Sequence, residues 1–82
     1  MNDRPAKHSV TLNGHRTSVS LEPEFWEAFK AIAASSGQAI NSLAAAIDSG
    51  RGDLGLASAI RLFILRHYRR CETLKSRSDD AL

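Results

Sequence analysis

The residues of this chain that carry chemistry point to recognition rather than catalysis. Arg16, Ser18 and Ser20 alternate in the stretch HRTSVSL, and a spacing of two puts them on one face of a strand, short, polar and suited to hydrogen bonding. Considered alone, that face reads as an exposed, soluble sheet surface. The nucleophile and metal-ligand candidates lack partners. Cys71, the single cysteine, follows an apolar helical stretch and reads as a buried inert thiol. His8, His15 and His67 have no ligand spacing and no cysteine partner, so they are expected on the surface or at an edge, with no metal and no cofactor. The glycines of SGRGDLG, residues 49–55, match neither a nucleotide phosphate loop nor a dinucleotide fingerprint, and their Arg51-Gly52-Asp53 tripeptide reads as coincidence. No enzymatic activity is expected.

The elements that would position this face can be traced from the turn outward. Asn13-Gly14 suits a type I′ hairpin turn, in which both central residues need positive φ. A two-residue loop then sets Leu12 opposite His15, Val10 opposite Thr17 and His8 opposite Val19. Val10, Leu12, Thr17, Val19 and Leu21 share one face; Ser9, Thr11, Arg16, Ser18 and Ser20 share the other. This hairpin spans about residues 8–21. Pro23, with Glu22, Glu24 and Glu27 around it, opens a helix over about 23–36, and Phe25, Trp26, Phe29, Ile32 and Ala33 form its buried stripe. Its stop is Ser35-Ser36-Gly37. Asn41 or Ser42 is expected to cap a short helix over about 41–48, with Leu43 and Ile47 turned inward. After the glycine loop a last helix runs over about 56–75, leaving a frayed tail at 76–82.

With 82 residues the chain forms one domain, 1–82, whose core is marginal in size. In AIRLFIL, residues 59–65, every side chain but Arg61 is apolar, more than one small monomer buries. A symmetric dimer through this helix, with Tyr68 and Cys71 extending the seam, would cover it; the alternative is the central helix of a monomeric bundle. The net charge of +2 is unevenly spread. Residues 1–20 and 51–82 are basic, the second with Arg66, Arg69 and Arg70 clustered, whereas 21–50 are acidic. Arg69 and Arg70 read as a solvated helix face. A polar N-terminus without an apolar core segment, no membrane-length apolar run and a single cysteine give the expectation of a cytoplasmic protein with no membrane partner.

RTSVSLEPEFWEAFKAIAASSG together with LASAIRLFILRHY resembles the ribbon-helix-helix family, in particular bacterial proteins containing such a domain, over most of residues 15–68. The resemblance implies a mostly α fold with a short β-ribbon, an obligate homodimer, and a transcriptional regulator that reads the major groove of double-stranded DNA with its strands. Carried onto this sequence, Arg16, Ser18 and Ser20 would face base edges, Arg16 gripping guanine O6 and N7 while the serines donate or accept. Lys7, His15 and Arg4 would neutralise phosphates, and the backbone at Gly55, Ala57 and Ser58 would clamp another at the start of the last helix. Two features depart from the family pattern: the added first strand and the short extra helix with its glycine loop. If the first strand pairs within its own chain, the dimer's sheet becomes four-stranded, wider than the ribbon a major groove admits. The competing function is an assembly module that keeps this fold and binds a protein partner, with the acidic first-helix face available to it.

Overall fold

The computed structural model describes residues 4–80, with side chains through residue 70. Strand β1 (Ala6–Leu12) and strand β2 (His15–Leu21) form an antiparallel hairpin, followed by helices α1 (Pro23–Ser35), α2 (Ile40–Ser49) and α3 (Leu56–Asp80). The turn is the one the sequence calls for, with Asn13 at φ 52° and Gly14 at φ 86°. Leu12 pairs with His15, Val10 with Thr17 and His8 with Val19, as the two-residue loop requires; the ladder extends to Ala6 opposite Leu21. Both strands of the hairpin belong to the one chain.

All three helices cover the apolar face of this hairpin. Val10, Val19 and Leu21 meet Phe29, Ile32 and Ala33 of α1, Leu43 and Ala44 of α2, and Ile60 and Ile64 of α3 in one cluster. Phe29 and Ile60 are wholly buried, while Phe25 and Trp26, from the same expected stripe, are half-buried at its margin. α1 stops in a Schellman turn. Gln38 N–H donates to Ala33 O at 2.9 Å and Gly37 N–H to Ala34 O at 3.1 Å, with Gly37 at φ 69°.

Three expectations need correction. The N-cap of α2 is Ala39, not Asn41 or Ser42. Asn41 serves a tertiary contact instead, its Oδ1 accepting the Thr11 backbone N–H at 3.0 Å, thirty residues away. His8 is not a surface residue. It shares the parity of Val10, so its ring turns to the core side and stacks on Trp26 with centroids 4.0 Å apart and planes 5° from parallel. α3 continues past Lys75 to Asp80, since no glycine or proline after Gly55 breaks it. Residues 81–82 of the expected tail, and the Cys71 side chain, lie outside the described residues. α3 also leaves apolar surface open, with Leu65 49% and Tyr68 47% exposed.

Candidate nucleic-acid interface

The pairing register assembles the polar face of the hairpin. Arg16 lies across from Thr11, Ser18 from Ser9 and Ser20 from Lys7. The face therefore holds two cations at diagonal corners, Lys7 and Arg16, separated by four hydroxyls and with no acid among them. Lys7, Ser9, Arg16 and Ser18 are exposed, and Thr11 and Ser20 half-buried. The structure brings Lys7 together with the three expected base-facing residues. It does not bring His15, which sits opposite Leu12 and shares that residue's side of the ribbon.

Strand geometry also fixes where the backbone groups point. Across a two-residue turn Leu12 and His15 exchange hydrogen bonds, so the next pair, Thr11 and Arg16, and every second pair after it turn N–H and C=O outward. Two contacts agree with that parity. Thr11 N–H on the β1 edge is taken by Asn41, and Ser20 C=O on the β2 edge accepts from Arg61 Nη2 at 3.3 Å. Each edge thus has one outward group engaged. The outward groups of Lys7 and Ser9 on β1, like those of Arg16 and Ser18 on β2, have no hydrogen-bond partner among the described residues, and α2 packs against β1.

Arg61 fastens the far end of β2 to two helices. Its Nε donates to Glu22 Oε1 at 3.0 Å, its Nη2 lies 2.9 Å from the same oxygen, and its guanidinium carbon sits 5.8 Å from the Phe25 ring centroid. The Glu22 carboxyl is held below its usual range, first by a backbone hydrogen bond at Glu22 itself and then by Arg61. Sequence reasoning saw Arg61 only as the one charged residue in the apolar stretch 59–65. Its partner is 39 positions away, at the strand's end, so helical spacing gives no signal of the pair.

At the other candidate contact, Ala59 N–H donates to Gly55 O at 3.0 Å, making Gly55 the residue that precedes the first turn of α3. The amides of Leu56, Ala57 and Ser58 then have no acceptor within the helix, and that turn holds no acidic side chain. Gly55 and Ser58 are exposed and Ala57 half-buried.

A chain with this hairpin, whose polar face is turned out and whose apolar face is packed on helices, has the architecture of a ribbon-helix-helix domain. The model of that domain family matches residues 5–68, and the chain belongs to the family. Domains of this family typically bind DNA, as dimers, and are generally not enzymes. No curated protein and no solved structure gives a match. Among the described residues no cluster of three side chains is placed to hold a metal ion, and no helix is long and apolar enough to cross a membrane.

Proposed function

We propose that this protein is a homodimeric, sequence-specific transcriptional regulator that reads the DNA major groove with its β-ribbon. The observation that carries the reading is the acid-free hairpin face of Lys7, Ser9, Thr11, Arg16, Ser18 and Ser20. Its dimer forms by pairing the open β2 edge of one copy with that of another, giving the strand order β1-β2-β2-β1. Only residues of like parity can exchange hydrogen bonds across such an edge, and with the Ser20 carbonyl held by Arg61 the pairing falls on Arg16 and Ser18. Leu65 and Tyr68, on the same side of α3 as Arg61, extend this contact.

The width of a four-stranded sheet is compatible with groove entry if its strands divide the work. Strands lie about 4.8 Å apart and the major groove is about 12 Å wide. The two central β2 strands fit between the walls, and each β1 then lies about 7 Å from the dyad, at the height of the phosphates. Arg16 accordingly reads guanine, Ser18 and Ser20 touch base edges, and Lys7 on the outer strand meets a phosphate. The free amides around Gly55, Ala57 and Ser58 hold a second phosphate. His15, on the other side of the ribbon, is left out of the phosphate-contacting set.

Selection of bound duplexes from a random library, followed by fluorescence anisotropy at low and near-physiological salt, tests this. The expected result is an enriched palindromic or repeated motif that Arg16→Ala no longer enriches while the dimer persists. Weak binding without a motif, vanishing as salt rises, would refute it and turn attention to assembly with a protein partner.

A further inference from the structure

The side of α3 away from Arg61 carries a groove that neither the core nor the DNA-reading face uses. It encloses about 320 Å³ between the second half of α2, the glycine loop and α3. Ile47, Leu54, Leu62 and Phe63 supply apolar walls, and Arg66 and Arg70 stand at one end. These two arginines are exposed, and among the described residues no ion pair or hydrogen bond engages either. The sequence offers no acid three or four positions from either one. They are instead four apart from each other, an arrangement that destabilises an isolated helix by like-charge repulsion. An anion between them would remove that repulsion.

The groove is also distinct from the proposed dimer contact. At 100° per residue, the directions of Leu65 and Tyr68 lie roughly 150° around α3 from those of Arg66 and Arg70. A second copy paired at the β2 edge approaches on the Leu65 side, and β1 with α2 stands on the other. The groove volume lies at the lower end of the range for small-molecule sites, about 300–1,000 Å³, and its open lining mixes apolar side chains with polar surface.

We propose that this groove binds a small amphipathic carboxylate, its apolar body against Ile47, Leu54, Leu62 and Phe63 and its carboxylate on the guanidinium groups of Arg66 and Arg70. Guanidinium forks suit carboxylate oxygens, and the apolar walls exclude ions without a hydrocarbon body. The assignment stands on the groove alone and does not need DNA binding.

The test is titration of the full chain with sodium decanoate below its micellisation, followed by amide chemical shifts, with acetate and decanol as controls. Saturable shifts confined to the α2–α3 groove are expected with decanoate, weaker ones with decanol and none with acetate. Arg66→Gln with Arg70→Gln should weaken decanoate roughly tenfold to a hundredfold, the range for losing charge-assisted hydrogen bonds. Ala46→Phe, at an exposed wall position, should block it sterically and gives an independent readout if the double variant does not fold. Absence of saturable binding, shifts elsewhere, or equal affinity in the arginine and Ala46 variants would overturn the proposal. So would dissociation of the dimer by Ala46→Phe, which would make a second copy the occupant.

Discussion

Replacing Ser18 by proline separates the fold of one chain from the pairing of two. Ser18 lies opposite Ser9, a pair whose N–H groups point away from the hairpin, so Ser18→Pro removes no ladder bond within the chain. Proline is tolerated on an edge strand in this orientation. In the proposed dimer the same N–H faces the partner strand, once from each copy. Two inter-chain hydrogen bonds are therefore lost, each worth about 1 kcal/mol net, and about 2 kcal/mol raises the dimer Kd roughly 30-fold, before counting ring clashes. Val19→Pro is the contrast. Val19 lies opposite His8 in an inward-bonded pair and its side chain is buried, so that substitution should unfold the chain. Sedimentation velocity across a concentration series gives the Kd, and circular dichroism gives the fold. Ser18→Pro is expected to remain folded and become monomeric at concentrations where the wild type is dimeric. A folded Ser18→Pro with unchanged Kd would show that β2 is not the dimer edge. Unfolding equal to that of Val19→Pro would show that the outward parity is wrong.

The remaining substitutions address single interactions. Lys7→Ala should weaken DNA binding about equally for all sequences and lower the slope of log affinity against log salt by about 1.8 per dimer, since each phosphate contact contributes about 0.9; anisotropy across a salt series measures it. Gly14→Ala should cost about 1–2 kcal/mol because Gly14 sits at φ 86°, lowering Tm by roughly 5–15 °C with the fold kept; a thermal melt reads it. Glu22 titrates below its usual 4.5, so its ionised form adds stability that is complete above that value and is lost as pH falls through the lowered one. The Tm advantage of wild type over Glu22→Gln should therefore shrink on acidification below the ordinary carboxylate range and be constant from there to neutrality.

The hairpin was legible because two residues set it: once Asn13-Gly14 fixes a two-residue loop, every cross-strand pair follows by counting, and the polar face follows from the pairs. The buried positions Phe29, Ile32 and Ala33 were legible from helical spacing in the same way. What was not legible depends on contacts distant in sequence. Asn41 has the side chain of a helix cap, and nothing local says that Thr11 will present it with an unpaired amide. Arg61 looks like a solubilising interruption until Glu22 and the Ser20 carbonyl are brought to it. His8 is the instructive case, because its parity with Val10 was available from the same register. Its polar type led to the edge assignment, although an imidazole ring stacks readily on an indole and buries apolar area by doing so.

These distant contacts bear on how the proposed dimer would close, with β1 and α2 both inside the stretch that the family model matches. A hairpin has two open edges, and a chain that could pair through both would add copies without limit. In the proposed dimer α2 would keep β1 from pairing. α2 packs along β1, and Asn41 occupies an outward amide that a third strand would need. On β2 Arg61 ties down the Ser20 carbonyl and the outward groups of Arg16 and Ser18 stay open; those of Ser9 and Lys7 on β1 are open as well, so the packing of α2 is what distinguishes the two edges. In the proposed dimer, pairing restricted to Arg16 and Ser18 would bury each copy's β2 edge against the other's. It would also set the two Arg16 side chains near the dyad, where a palindromic DNA site would be read. On this argument α2 would take part in dimerisation by shielding β1 and without touching the partner. Asn41→Ala, with an exposed hydrogen bond removed, should leave the hairpin intact but favour species larger than the dimer at high concentration. Sedimentation showing only dimer across the same range as wild type would mean that α2 packing alone protects β1.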